Sequence, residues 1–154
     1  MINHIGLIPD GNRRWARKRG LNIFEGHKIG AKKIEEFIKW CIELGIKKVS
    51  VYVLSIENFK KRDKKEINNL LNLIQEYLKK WEKGEFWEFI SKHKIQIRIL
   101  GNYVELPKSL VRLFFGIMKK TKKFNKHVVN LLVCYSGIYE ILQAVKKIVK
   151  NRVK

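Results

Sequence analysis

The chain has 154 residues, of which 45% are hydrophobic, so it is long enough and apolar enough to form one folded domain with its own core. Its 34 lysine and arginine residues against 14 acidic residues give a net charge of +20, which favours polyanions or anionic membrane surfaces as partners. No apolar run reaches the roughly 18 residues of a membrane span, and neither a signal peptide nor a disulfide framework is expected. We therefore predict a single cytoplasmic domain over residues 1–154, with peripheral membrane contact left open.

The first predicted element is an apolar strand, His4–Ile8, that leads into a loop with one carboxylate, one glycine and adjacent arginines. Because Asp10 follows the strand directly, we expect it at the carboxyl edge of a sheet, where open α/β folds bind ligands. Gly11 permits close backbone approach, and Arg13 and Arg14 offer forked donors for phosphate oxygens. One carboxylate suffices for Mg²⁺ when a bound diphosphate supplies further oxygens. The loop therefore suits a magnesium diphosphate, and the alternative is a surface turn followed by a solvated basic stretch.

The middle of the chain alternates between helical and extended patterns. A helix is predicted to open at Glu25–Ala31 and to stop at Gly45, and a mostly apolar strand follows at Lys47–Leu54. Asp63 and Glu66 have the spacing of a capping box, which predicts the start of a long amphipathic helix. That helix is expected to close near residue 84.

The remainder continues the same alternation. A short aromatic-rich segment at 85–92 is predicted to continue or kink the long helix. The later predicted elements are a strand, a helix, a strand and a last helix, at 95–100, 107–119, 128–134 and 138–149. Strands that alternate with helices at this spacing predict an α/β fold, with a mostly parallel open sheet and helices on both faces.

Three blocks occur in register along the first part of the chain. They are the D-G-N-R-R-W-A block at residues 10–16, the G-H-K-I-G block at 26–30 and the S-I-E-N block at 55–58. In this order and spacing they resemble the cis-prenyltransferase family, the undecaprenyl diphosphate synthases and their dehydrodolichyl relatives. The resemblance implies a hydrophobic tunnel and a Mg²⁺-dependent condensation of isopentenyl diphosphate with an allylic diphosphate, giving a cis-polyprenyl diphosphate.

The resemblance also implies roles for individual residues. Asp10 would bind Mg²⁺ and assist departure of the allylic diphosphate, and Asn58 would accept or orient the proton lost from isopentenyl diphosphate. The implied substrate-binding residues are Gly11, Asn12, Arg13, Arg14, Trp15, His27, Ser55, Ile56, Glu57, Phe59 and Lys61. Taken singly, each has a structural alternative: Trp15 could cover the sheet edge, His27 could brace its helix and Asn58 could form an Asx turn.

The chain departs from the family pattern at several positions. Ile23 stands where an arginine commonly precedes the G-H pair, Phe59 replaces a tryptophan, and Lys61 replaces a later arginine. The N-Y-G-G-R block appears as Cys134–Ile138. The resemblance covers about the first two thirds of the family pattern, without the C-terminal block that binds isopentenyl diphosphate.

Several functions remain open at this point. The chain could be the catalytic part of a homodimer or heteromer whose partner supplies the missing block, a polyprenyl-diphosphate-binding paralogue without turnover, or an enzyme active by another arrangement. A basic nucleic-acid-binding module is less favoured, because the lysines are scattered and no helix-turn-helix, zinc-finger or RNA-recognition signature is present.

Overall fold

The computed structural model describes residues 2–152, over which four strands alternate with seven helices. In chain order they are β1 His4–Leu7, α1 Asn12–Lys18, α2 Ile23–Glu43, β2 Lys48–Ser55, α3 Ile56–Lys61, α4 Lys64–Trp81, α5 Glu85–Lys92, β3 Ile95–Leu100, α6 Lys108–Thr121, β4 His127–Tyr135 and α7 Gly137–Arg152.

The four strands form one sheet in the order β1-β2-β4-β3, and all three neighbouring pairs are parallel. Val49 on β2 is level with Val129 on β4, which is level with Ile97 on β3. Because the side chains of aligned residues point to the same face, these three form one apolar row across the sheet. The predicted α/β class with a parallel sheet is confirmed.

The hydrophobic core lies on the face that carries this row. Helices α2, α4 and α6 bury their apolar stripes in it, with Ile38, Leu71 and Phe114 among the enclosed side chains. The opposite face has a polar row at the next register position, where Asn130 Nδ2 donates to Ser50 Oγ over 3.0 Å. Within residues 2–152 the expected helical cover is therefore complete on only one face.

Two segments that the sequence analysis assigned to a loop and a strand end are helical. Most of the D-G-N-R-R-W-A block belongs to helix α1, which begins directly after Gly11. The backbone of Gly11 has a left-handed conformation, with φ of 96°. The polar end of β2 forms helix α3, because the side chain of Ser55 accepts a hydrogen bond from the backbone N–H of Asn58 and thereby caps the helix. Both helices begin at the carboxyl edge of the sheet.

The remaining boundaries lie close to their predicted positions. Helix α2 begins two residues earlier than predicted, because Asn22 and Glu25 form a reciprocal capping box. Gly45, with φ of 79°, ends the same helix as expected. Both cysteines are free and buried, and burial raises the pKa of Cys134 to about 12, in agreement with core positions.

Candidate active site

Asp10 lies just beyond β1 and is held by two local hydrogen bonds. Its Oδ1 accepts from the backbone N–H of Gly11 over 2.6 Å, and its Oδ2 accepts from Arg14 Nη2 over 3.1 Å. The carboxylate and the Arg14 guanidinium are both exposed, with 78% and 74% of the side chain accessible. The acid is therefore oriented by its neighbours and open to a ligand from solvent.

Helices α1 and α2 approach each other closely because two glycines replace side chains on α2. A Cβ at Gly26 would lie 2.5 Å from the backbone oxygen of Asn12 and 2.9 Å from Ala16 Cβ. A Cβ at Gly30 would lie 2.6 Å from the Asn12 side chain. The G-H-K-I-G block thus lets Asn12 lie directly against α2, where its amide also donates to the Pro9 carbonyl over 3.2 Å.

Glu66, on α4, is the centre of a charged cluster that also includes residues of α1, of α2 and of the α3–α4 junction. Its Oε1 lies 3.2 Å from Arg62 Nη1, 3.4 Å from His27 Nε2 and 3.7 Å from Arg13 Nε. Only 12% of the Glu66 side chain is exposed. The predicted capping box is corrected here: Asp63 does cap α4 by accepting from the backbone N–H groups of Lys65 and Glu66, but the Glu66 side chain turns to these cationic and imidazole groups instead.

His27 is the uncharged member of this cluster near neutral pH. Its side chain is 8% exposed, and burial lowers its pKa below the ordinary value, against the opposing effect of Glu66. A carboxylate only accepts hydrogen bonds, so the short contact requires Nε2–H of the neutral ring to donate to Glu66. His27 therefore joins the cluster as a hydrogen-bond donor and not as a third cation.

Arg62 is a site residue that the sequence analysis missed, since it assigned the position of the family's later arginine to Lys61. The structure leaves Lys61 exposed on α3 and turns Arg62 inward, with 19% of its side chain accessible. Within the described part of the chain, the buried Nε of Arg62 has no hydrogen-bond partner. The spacing of Arg62 and Glu66, one helical turn apart, is the signal that could have identified it.

A cavity of about 120 Å³ opens beside this cluster and extends into the core. At one end Pro9, Asn12, His27 and Arg62 contribute to its lining. The rest of the lining is mainly aliphatic and aromatic: Ala31, Ile34, Val53, Leu70, Leu73, Ile74, Tyr77, Leu78, Trp81, Ile99, Phe114, Leu131 and Val133. The cavity therefore has a polar mouth and an apolar interior between the sheet and helices α2, α4 and α6.

The S-I-E-N block forms a second polar group at the same sheet edge. Glu57 is exposed, and its pKa is lowered first by a hydrogen bond from its own backbone N–H and further by the hydroxyls of Ser55 and Ser136. Asn58 is exposed at the first turn of α3, and Ser55 is buried beneath it. The block therefore presents an ionised carboxylate and an amide to solvent.

The structure does not bring every predicted residue to the cavity. Trp15 is half-buried on α1 and lies 4.4 Å beneath the Arg19 guanidinium, outside the cavity lining. Ile56 and Phe59 pack against the core from α3, and Lys61 is exposed. Of the predicted site residues, only Asn12 and His27 line the cavity, and the roles of all of them in catalysis or substrate binding stay predictions.

The donor set at this edge is compatible with Mg²⁺ bound jointly by protein and ligand. Residues 2–152 contain no group of three or more His, Cys, Asp or Glu side chains that could hold a metal alone. Asp10 nevertheless offers an exposed carboxylate next to the Arg14 guanidinium, and Mg²⁺ needs only one or two carboxylates when phosphates complete its shell. Across the same residues, no helix is long and apolar enough to cross a membrane.

The fold and site together define an α/β protein with a cationic mouth above an apolar cavity. Residues 8–154 match the family model described as "Putative undecaprenyl diphosphate synthase". The chain is 39% identical over 148 residues to a geranylgeranyl-diphosphate-specific tritrans,polycis-undecaprenyl-diphosphate synthase of Sulfurisphaera tokodaii, covering 96% of this chain and 55% of that protein. It is also 39% identical to dehydrodolichyl diphosphate synthase 1 of Arabidopsis thaliana, covering 100% of this chain and 49% of that protein.

A solved structure gives the same result. The chain superimposes with a TM-score of 0.88 and 29% identity on lavandulyl diphosphate synthase from Lavandula x intermedia in complex with dimethylallyl diphosphate. That match covers 96% of this chain and 61% of the other. The chain therefore belongs to the cis-prenyltransferase family, and it spans about half the length of the curated relatives described above.

Proposed function

We propose that this chain carries the allylic-diphosphate site of a cis-prenyltransferase, which condenses isopentenyl diphosphate with an allylic diphosphate into a cis-polyprenyl diphosphate. The observation that carries the proposal is the junction between the cationic mouth and the apolar cavity. Arg13, His27 and Arg62 meet at Glu66 where the cavity opens. A prenyl diphosphate has the same division, with a multiply charged head and a hydrocarbon tail.

The diphosphate head group of the substrate would bind at the cationic end of the site. The buried Arg62 Nε, which has no hydrogen-bond partner among residues 2–152, would donate to a phosphate oxygen, because a buried guanidinium N–H without an acceptor is costly. Arg13 and Arg14 supply further forked donors, and the backbone of Gly11 and Asn12 lies beside them. Charge-assisted hydrogen bonds of this kind are the stronger class in proteins.

Asp10 would hold Mg²⁺ together with the phosphate oxygens, and the bound ion would supply Lewis-acid stabilisation to the departing diphosphate. Arg14 already donates to one oxygen of this carboxylate, which fixes its orientation. The exposure of the Asp10 side chain leaves room for the ligand's own oxygens around it.

The S-I-E-N block would position isopentenyl diphosphate. The Glu57 carboxylate interacts with the hydroxyls of both Ser55 and Ser136, which relates it to the end of β4. Asn58 would orient the departing proton, because a neutral amide is a very weak base. The family resemblance implies that further residues bind substrate in this region: Trp15, Ile56, Phe59 and Lys61.

The volume of the cavity indicates how long a hydrocarbon tail it can hold. An engineered cavity of about 150 Å³ binds benzene, and the present cavity is about 120 Å³. A five-carbon isoprenoid unit therefore fits the cavity as it stands. Longer tails require the side chains between α2 and α4 to move apart.

We further propose that the chain acts as a homodimer, or as a heteromer with a partner chain that supplies the residues absent from the isopentenyl diphosphate site. The residues that the family pattern uses for that substrate have no counterpart within residues 1–154. The relatives described above are nearly twice as long as the matched region. A binding-only paralogue is the second candidate, since it would keep the same cavity and cationic mouth.

The test is incorporation of labelled isopentenyl diphosphate into lipid by the purified chain, with Mg²⁺ and farnesyl or geranylgeranyl diphosphate. Product from wild type and none from a folded Asp10→Ala variant supports the complete proposal. Absence of product together with Mg²⁺-dependent binding of the allylic diphosphate supports the partner-dependent or binding-only form. Wild-type turnover in Asp10→Ala would contradict the proposed site.

A further inference from the structure

The carboxyl ends of β2 and β4 carry matched irregularities in an otherwise regular parallel pairing. From Lys48 to Tyr52 each residue of β2 is level with one residue of β4. The register then skips Val53 on β2 and, one pair later, Cys134 on β4. Such extra residues are β-bulges, which are uncommon in parallel pairs and are over-represented next to active sites. Both bulges lie at the sheet edge that carries the candidate active site.

The bulge on β4 has a backbone conformation that its residue type disfavours. Cys134 has φ of 49°, in the left-handed region that residues other than Gly, Asn and Asp rarely adopt. Val133 and Cys134 are both buried, although successive residues of a regular strand face opposite sides of the sheet. Burial also keeps the Cys134 thiol protonated, because it raises the pKa to about 12. Cys134 therefore affects its surroundings through its backbone, which turns the end of β4.

Neighbouring strands hold this bulge from two sides. Gly101, at the end of β3, lies so close that a Cβ there would overlap the carbonyl oxygen of Val133. The backbone N–H of Asn102 donates to the carbonyl of Cys134 over 2.9 Å. On the other side, the hydroxyl of Tyr52 on β2 donates to the carbonyl of the next residue of β4 over 3.0 Å. The turned backbone is therefore fixed by contacts with both β3 and β2.

Ser136 is the first residue after β4, and its hydroxyl meets the S-I-E-N block. It interacts with the carboxylate of Glu57, which is exposed on α3. Ser55 interacts with the same carboxylate, and its oxygen also accepts the capping hydrogen bond from the N–H of Asn58. A hydroxyl has only one hydrogen to donate. Ser136 therefore supplies a second hydroxyl donor from a different part of the chain.

We propose that Ser136 is a positioning residue of the S-I-E-N block and that the bulge at Cys134 brings its hydroxyl to Glu57. Without the extra residue, the end of β4 would be one position out of phase and Ser136 would face the other side of the sheet. Two hydroxyls from two strand ends then orient one exposed carboxylate. The consequence for isopentenyl diphosphate rests on the proposed function, whereas the contact with Glu57 does not.

The hydroxyl is a feature of this chain and not of the family pattern. In the N-Y-G-G-R block, which appears here as Cys134–Ile138, a glycine stands at the position of Ser136 and an asparagine at the position of Cys134. Asparagine tolerates the left-handed conformation that the structure shows for Cys134. The pattern therefore suits the same bulge, and the serine adds a donor to it.

A carbon-13 NMR titration of the side-chain carboxyl groups tests the proposal without substrate or metal. The Glu57 signal is assigned by its absence in Glu57→Gln. Ser136→Ala should raise the pKa of Glu57 towards the ordinary value of a glutamate, because a hydrogen bond to the ionised form is lost. Ser136→Thr keeps a hydroxyl and should titrate like wild type. Lys61, the charged group that also lowers the pKa of Glu57, is retained in every variant.

Ser91→Ala is the matched control for removal of the hydroxyl. Ser91 is half-buried like Ser136 but lies on α5, shortly before the amino end of β3 and thus near the opposite edge of the sheet. Its replacement should leave the titration of Glu57 unchanged. A wild-type titration of Glu57 in Ser136→Ala, or equal shifts in Ser136→Ala and Ser91→Ala, would overturn the proposal.

A second set of variants tests the bulge. Cys134→Asn should leave the titration of Glu57 as in wild type, because asparagine tolerates a left-handed backbone. Cys134→Val introduces a β-branched residue that disfavours this conformation, so it should raise the pKa of Glu57 as Ser136→Ala does. Cys41→Val is the control, because Cys41 is also buried but lies within α2. Equal effects of Cys134→Asn and Cys134→Val would overturn the role of the bulge.

Folding of each variant is checked by circular dichroism. If Cys134→Val does not fold, Ser136→Ala decides the proposal, because it leaves the bulge intact. The predicted titrations in a chain that binds no prenyl diphosphate would support the positioning of Glu57 and contradict the proposed function alone. Prenyl diphosphate binding by wild type, with no response of Glu57 to Ser136→Ala, would overturn this inference alone.

Discussion

Glu66 is the residue on which the geometry of the mouth depends. It accepts hydrogen bonds from His27 and Arg62, forms an ion pair with Arg13 and is largely buried. We expect Glu66→Gln to lower the free energy of unfolding by about 1–3 kcal/mol, because loss of one member of a largely buried ion pair leaves the other charge uncompensated.

Urea unfolding measures this change. Glu36→Gln serves as the control, because Glu36 pairs with Lys33 at the surface and exposed pairs contribute little. A loss for Glu66→Gln that is no larger than the loss for the control would show that the cluster does not stabilise the fold.

His27 gives the mouth a predictable response to pH. Burial lowers its pKa in the folded protein, so the unfolded chain binds the proton more tightly. Its contribution to stability is therefore present above the unfolded value of about 6.5 and is lost as pH falls through the lower folded value. Wild type should therefore lose stability as pH falls below about 6.5, and His27→Gln should lose less over the same range.

Thermal unfolding of the two proteins across this pH range is the measurement. Parallel curves for wild type and His27→Gln would mean that protonation of His27 is not coupled to folding. The charged groups that face the ring in the folded protein are Glu66, Arg62 and Arg13, so the comparison reports on the cluster as a whole.

At the scale of elements, the close packing of α1 on α2 depends on Gly26. A Cβ there would overlap the backbone of Asn12, which cannot move without displacing α1. We expect Gly26→Ala to destabilise the protein by about 1–3 kcal/mol, as overpacking commonly does. Denaturant unfolding provides the value.

Gly116 is the matched control because it lies within α6, and a Cβ there would lie 3.2 Å from the flexible end of the Glu82 side chain. Gly116→Ala should be neutral or stabilise by up to about 1 kcal/mol through helix propensity. If Gly26→Ala behaved in the same way, the G-H-K-I-G block would not be explained by helix–helix contact.

The same elements show how far sequence alone could lead. Most strands and helices could be predicted, because their apolar periodicity and capping residues act over a few neighbouring positions. The helical start after Gly11 was missed because the D-G-N tripeptide is also typical of turns. Arg62 was missed because the α3–α4 junction, and not the order of residues, decides which of two adjacent cationic side chains turns inward.

Contacts between distant parts of the chain were beyond sequence reasoning. Glu66 meets His27 across 39 positions of sequence, and no local pattern encodes that contact. Because Glu66 follows Asp63 by three residues, a capping box was predicted. In the structure the Glu66 side chain instead contacts His27 and Arg62. The sequence predicted a last helix at 138–149 but not that its large apolar side chains would be exposed within the described residues.

At the scale of the whole molecule, the cavity between the sheet and the helices should bind the hydrocarbon tail of a prenyl diphosphate and not its diphosphate head group. Ala31 on α2 lines it, so Ala31→Leu would place three additional carbons in the space for the tail. We expect at least about tenfold weaker binding of farnesyl diphosphate and little change for inorganic pyrophosphate, which has no tail.

Isothermal titration calorimetry of both ligands provides the comparison. Ala144→Leu is the control, because Ala144 is exposed on α7 and outside the cavity lining. Equal weakening of both ligands by Ala31→Leu would indicate a general disturbance and would place the tail elsewhere.

The central claim is that the cationic mouth and the apolar cavity form one site for an allylic diphosphate. The most direct measurement is calorimetric titration of the purified chain with farnesyl diphosphate, with and without Mg²⁺, for wild type and Asp10→Ala. The account predicts saturable binding that Mg²⁺ strengthens in wild type and leaves unchanged in a folded Asp10→Ala variant. Absence of binding by wild type, or an equal response to Mg²⁺ in both proteins, would contradict it.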